Sequence, residues 1–221
     1  MNGTFHEHAV CGNTGCTEED HDNTLWIPLT YDSENQRLQY GGKSLTKPTY
    51  NNKYTLPAGN YYLFADITLD GSIAISGDVN ICLNGHTIST KLYNSVFDIS
   101  SYKLAVCDCS TGHSGKIEII DNHGETKSFV VGLNAAQFCL YGGTIQGGDY
   151  GVYSSNSSVK LFGGSITGNT IGVDGSSYYS LAIGGDAKVI NNTTKNLVLL
   201  RKSVISIDKS LTSNARIGIS T

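Results

Sequence analysis

Residues 1–24 carry three of the six histidines, His6, His8 and His21, together with Cys11, Cys16 and the acidic run Glu18-Glu19-Asp20. The spacing HxHxxCxxxxCxxxxH can present imidazole and thiolate donors to Zn²⁺, which favours four such groups in a tetrahedron. The two cysteines can equally close a small disulfide loop or stay as free thiols, and without a paired CxxC all three readings stay open. A second constellation, Asp108, His113, Asp121 and His123, lies in and beside the interval 110–133. It offers groups for metal binding or proton transfer, although such residues more often solvate a loop. A third set is aromatic. Tyr141 and Phe162 stand 21 residues apart, with Tyr150, Tyr153, Tyr178 and Tyr179 in adjacent corners. The chain has 13 tyrosines against 6 phenylalanines, a tilt toward rings with a polar end that suit sugar or protein contacts. Exposed strands also use tyrosine without any ligand. The candidate ligand-binding residues are Tyr141, Phe162, Tyr150, Tyr153, Tyr178, Tyr179, His113 and His123.

No catalytic residue is expected. A lyase needs clustered carboxylates for Ca²⁺ with a Lys or Arg base, and a glycoside hydrolase needs two carboxylates facing across the bond. Here the acidic residues are scattered, Asp149 and Asp174 being the pair most suited to neighbouring coils. No Gly-rich phosphate loop precedes a helix. With 15 Lys+Arg against 19 Asp+Glu and a net charge of −4, nucleic acid is not an expected partner. No run approaches 18 apolar residues and no basic flank precedes an apolar N-terminal core, so neither a membrane span nor a signal peptide is expected.

The elements that must position these groups are legible as repeats. Phe138–Gly147 reads FCLYGGTIQG and Val159–Gly168 reads VKLFGGSITG, in register at an offset of 21 residues; Gly151-Val152 and Gly172-Val173 share that offset. Degenerate copies follow at Leu181–Asn192 and, with the glycines lost as in a terminal rung, at Ile205–Ile217. Backwards, ICLNGHTI at residues 81–88 aligns with FCLYGGTI, and VCDC before an STGHS insertion aligns with the same unit, so the period reaches about residue 60. Alternating apolar residues joined by Gly, Asn or Ser corners describe short strands with one buried face. A unit this short cannot close a core alone and must stack on its neighbours.

The expected fold is therefore all-β, a right-handed parallel β-helix (solenoid) of few coils. Val159 is expected over Phe138 and under Leu181, and Leu161 over Leu140 and under Ile183. Glycines 142, 143, 163 and 164 permit tight corners, and Asn169 and Asn192 form a ladder at a bend. Leucine-rich repeats need denser Leu, and a propeller blade needs a longer unit; a β-sandwich would not repeat residue identity. The expected organisation is a Cys/His-rich segment at 1–24, an N-terminal cap at 25–62 and the β-helix at 63–221. Cys82, Cys107 and Cys139 align in the outward column of Lys160, with Cys109 beside them. Mostly free thiols are expected, although six cysteines in a secreted chain argue for pairing.

NYYLFADITL, ICLNGHTI, VCDC, LYGGTIQGG with GVYSS, LFGGSITGN with IGV, and the closing NLVLL and LTSNARIGIST resemble the right-handed β-helix segments of large cell-surface proteins of Gram-positive gut bacteria. HEHAVCGNTGC is similar to the His/Cys-rich stretch that often precedes them. The resemblance covers nearly the whole chain and is specific for architecture but weakly specific for activity. It implies an extracellular, adhesin-like binding module held at the cell surface by regions outside this chain and monomeric in isolation. Its partner would be a host macromolecule, a mucin glycan or a secreted protein such as immunoglobulin. The alternative is a passive stalk. No cofactor is expected beyond zinc at the N-terminal segment.

Overall fold

The computed structural model describes residues 26–47, 51–91, 95–120, 127–177, 180–199 and 204–220. Among them every regular element is a β-strand, and no helix is long and apolar enough to cross a membrane. His6, His8, Cys11, Cys16, His21, Asp121, His123, Tyr178 and Tyr179, and the expectations placed on them, lie outside the described residues.

The strands fall into sheets of ten, eight and seven members. Lys53–Leu56 belongs to the eight-stranded sheet, Gly59–Leu63 to the ten-stranded one and Ile67–Leu69 to the seven-stranded one. Ser72–Ile75, Val79–Cys82 and Thr87–Thr90 then revisit the same sheets in the same order. The cycle continues to Arg216–Ile217, and successive visits pair in parallel. Antiparallel pairing among the described residues joins Trp26–Asp32, Arg37–Tyr40 and Lys43–Leu45. Of these, Trp26–Asp32 also pairs in parallel with Gly59–Leu63 and so tethers the N-terminal strands to the stack. This is the arrangement of a β-solenoid, built by stacking units that have no core of their own.

Alternation supplies the core. Val79, Leu104, Phe138, Val159, Leu181 and Ile205 form one column of the ten-stranded sheet, and Ile81, Val106, Leu140, Leu161, Ile183 and Ile207 the next. The stacking expected for Val159 and Leu161 is the one observed. Ile67, Ile88, Ile117, Ile145, Ile166, Val189 and Ile217 line the seven-stranded sheet. Most of these side chains are fully buried, each contributing about 2 kcal/mol of apolar transfer relative to exposure.

Two expectations are corrected. Cys82 and Cys107 are in register, but Cys139 pairs with Ala105 and Lys160, so the three thiols do not share a column. The corner between Cys82 and Thr87 is two residues longer than the corner between Tyr141 and Thr144, which slides ICLN along FCLY. Second, the outward cysteines are not exposed: Cys82, Cys107 and Cys139 are buried. In agreement with the expectation of free thiols, no disulfide joins the four described cysteines. The interval 110–133 contains the regular strands Lys116–Ile119 and Phe129–Asn134.

Candidate functional site

On the outer face of the ten-stranded sheet, each coil turns toward the seven-stranded sheet through a short corner. Tyr141 and Phe162 open two successive corners, each following a strand, Gln137–Leu140 and Ser158–Leu161. Their rings stack one coil apart with centroids 5.7 Å apart and planes inclined by 42°. In the next coil the register puts Gly184 after Ile183, so the ladder of rings stops and leaves a notch. Lys209 fills it. The pairing of Ser180–Gly185 with Ile205–Leu211 slips between Ile183 and Gly185, and the bulge re-aims the strand. Lys209 Nζ then stands 5.2 Å from the Phe162 centroid and 6.0 Å from that of Tyr141, within cation–π range.

These residues form one wall of a cavity of about 420 Å³ whose other sides are His113, Ser165, Asp186, Lys188 and Thr212. Thr212 Oγ1 donates to Asp186 and fixes its carboxylate. Donors, an acceptor carboxylate and a partly buried aromatic wall thus converge on a single concave surface. Its volume lies in the range of small-ligand sites, about 300–1,000 Å³.

Of the expected ligand-binding residues, the structure brings Tyr141, Phe162 and His113 together here. Tyr150 and Tyr153 lie elsewhere, on the eight-stranded sheet, where they pack with Phe129 at centroid distances of 5.5 and 4.7 Å. Tyr150 is buried rather than exposed. Lys127 covers it at 5.5 Å, and a hydrogen bond with Tyr150 raises the Lys127 pKa.

The Asp108 and His113 pair is not an acid–base couple. The Asp108 carboxylate is fully buried and accepts backbone N–H groups of Gly85 at 2.8 Å, Gly115 at 2.6 Å and Ser110 at 3.2 Å. His113 Nδ1 meets the Asp108 carbonyl oxygen, not the carboxylate, at 2.9 Å. Asp108 therefore clamps a long corner to its neighbour, and His113 turns its ring along that corner into the cavity. Asp149 is likewise engaged, accepting from Ser128 N at 2.9 Å and Ser128 Oγ at 3.1 Å. Asp174 is in register with Tyr153 and so does not stack on Asp149. Burial raises its pKa against the opposing pull of Lys127 and Lys195.

No family model, curated protein or solved structure matches the chain.

A second cluster adjoins the rings. Cys82, Cys107 and Cys109 bring their Sγ atoms within 4.8 Å of one another, a group able to hold a metal ion. Trp26 and Tyr62 pack on Cys82 and Cys107, with Cys109 and Tyr141 at the margin. Cys107 is held well above the ordinary thiol range by its hydrogen bonds to Cys109 and Cys82 and by burial. For Cys109, the hydrogen bond with Cys107 lowers the pKa, but Cys82 and burial outweigh it and the net shift is upward. The zinc expected at the N-terminal segment thus has a metal-capable counterpart in the coils, at residues that the sequence alone presents as separate thiols. Lys209, Asp186 and Lys188 carry no sequence signal of a shared site either. The only hint for Lys209 is the extra length between Ile207 and Leu211, which marks a bulge once the register is known.

Proposed function

We propose that the chain is a non-catalytic extracellular binding module, adhesin-like, whose Tyr141–Phe162 cavity takes a host glycan of the mucin type. Its scaffold in this reading is a right-handed parallel β-helix capped at its N-terminal end by the strands from Trp26 to Leu45. The observation that carries the reading is the ring pair on the cavity wall, 5.7 Å between centroids, bordered by Lys209, Asp186, Lys188 and Thr212. A pyranose has one apolar face and a rim of hydroxyls. Aromatic rings match the first, and fixed charged and hydroxyl groups match the second. The non-catalytic part rests on the carboxylates: Asp108 and Asp149 are committed to backbone and Ser128 hydrogen bonds, and Asp186 is bonded to Thr212.

The test is binding of the intact chain to an array of mucin O-glycans, repeated with the Tyr141→Ser/Phe162→Ser double variant. The expected result is retention of one glycan class, lost in the variant at an unchanged melting temperature. Retention by the variant would place the site elsewhere, with the Phe129–Tyr150–Tyr153 patch as the next candidate. An empty array from folded protein would favour the passive stalk.

A further inference from the structure

The column that ends in Tyr141 and Phe162 begins with Pro28, Tyr62, Cys82 and Cys107. Its central part is a sulfur-rich pocket that the glycan reading does not use. We infer that Cys82, Cys107 and Cys109 form a trigonal thiolate site for a soft monovalent cation of the Cu(I) class.

Geometry carries the first step. Cys107 Sγ and Cys109 Sγ are 3.9 Å apart, and all three sulfurs lie within 4.8 Å of one another. A disulfide requires about 2.05 Å, whereas three sulfurs each about 2.3 Å from one central ion stand about 4 Å apart. The Cys107–Cys109 pair has the second spacing, and the Cys82 sulfur lies within 4.8 Å of both. It arises from topology: Cys82 and Cys107 face each other across paired parallel strands, and Cys109 returns toward them because the Asp108 carboxylate between the two cysteines turns inward onto Gly85 and Gly115. The CDC triplet thus puts both thiols on one side and the carboxylate on the other.

Donor chemistry decides the ion. Among the described residues no imidazole or carboxylate joins the group. The neighbours are Trp26, Tyr62 and Tyr141. Zn²⁺ in structural sites takes four protein donors, while a purely thiolate, low-coordinate set selects Cu(I). Cys82 and Cys107 are buried and Cys109 is half-buried, so the set has a dry floor and one ligand at the surface through which an ion enters. On binding, each thiol that becomes a ligand releases its proton to solvent, and the copper stays in the Cu(I) state.

Trp26 is the single tryptophan of the chain and packs on Cys82 and Cys107, so its emission reports on this pocket. The experiment titrates the reduced full chain, without oxygen, with Cu(I) delivered from a competing chelator. One equivalent should quench Trp26. Cys109→Ser should weaken binding by more than about 100-fold, the upper end of what loss of a mere supporting residue costs. Cys139→Ser should leave it unchanged, as should the Cys11→Ser/Cys16→Ser double variant. Cys107→Ser serves as a second ligand variant where it folds. The half-buried Cys109 makes the Cys109→Ser chain the one that carries the test, with its melting curve as the check on fold. Unchanged affinity in Cys109→Ser overturns the assignment. So does loss of the quench in the Cys11→Ser/Cys16→Ser chain, or preferential uptake of Zn²⁺ over Cu(I). Because Tyr141 and Phe162 are intact in all these variants, failure here leaves the glycan reading standing, and failure on the glycan array leaves this one.

Discussion

Asn169 Nδ2 donates to Oδ1 of Asn192, its counterpart one coil on, at 3.0 Å. The same side chain bonds the backbone of the preceding coil, accepting from Gly148 N at 3.1 Å and donating to Ile145 O at 3.2 Å. Asn192 repeats the pattern toward Asn196 and Ile166. Both asparagines are buried, so truncation leaves several polar groups in the interior without partners. Asn169→Leu should therefore destabilise the chain by about 3 kcal/mol, since each orphaned group costs about 1–3 kcal/mol. Chemical denaturation reads this directly. A loss below about 1 kcal/mol would mean that water replaces the ladder.

Asp108 makes a comparable clamp at the corner before Lys116. Asp108→Ala removes the acceptor for Gly85, Ser110 and Gly115 amides in a site with no solvent access at the side chain. The expected cost is about 3 kcal/mol, with hydrogen exchange accelerating first at Gly85 and Gly115. Unchanged protection of those two amides would show that the corner holds without the carboxylate.

How much of this was visible in the sequence depends on the kind of contact. The inward columns were legible because residue identity repeats: Val159 over Phe138 and Leu181, Leu161 over Leu140 and Ile183. The Asn169–Asn192 bond was legible for the same reason. The column of Cys139 was not. Aligning Ile88 with Ile145 is correct, but the longer corner after Cys82 shifts the preceding strand by two. A shift of two preserves the face in a strand, so Ile81 was placed inside and Cys82 beside Cys107 correctly, while Cys139 was put in their column wrongly. The outer face also misled, because alternation says which way a side chain points and not whether something covers it. Cys107 points outward and is 2% exposed. Lys209 depends on a bulge, and a bulge breaks the period from which everything else was read.

The N-terminal end should be sensitive to acid. Asp70 accepts from Tyr31 Oη at 2.7 Å and Tyr54 Oη at 2.5 Å and pairs with Lys47. Desolvation raises its pKa, but the hydrogen bonds from Lys47, Tyr54 and Tyr31 outweigh it and the net shift is downward. A depressed carboxylate contributes stability that is present above its unfolded value, about 3.9, and is lost as pH falls through the folded value. Stability of the wild-type chain should thus fall steeply below about pH 4. Asp70→Asn should be less stable at pH 7 and have a flatter profile below pH 4. Parallel profiles for the two chains would show that Asp70 is not the group titrating.

Corner glycines should differ by position. Gly164 has φ +68°, and a Cβ there would sit 2.6 Å from the Gly143 carbonyl oxygen. The left-handed conformation alone costs a non-glycine residue about 1 kcal/mol or more, and the clash is with backbone, which cannot rotate away. Gly164→Ala should lower stability by about 2–4 kcal/mol and widen the gap between Tyr141 and Phe162, which flank that corner. Gly112 offers the opposite case: a Cβ at that position would meet nothing within 4 Å, and its φ is not positive. Gly112→Ala should be neutral or stabilise by up to about 1 kcal/mol through the unfolded chain. Thermal melts of the two variants settle the matter: equal losses would mean that neither the left-handed corner nor the backbone clash sets Gly164 apart, and would overturn the distinction between the two sites.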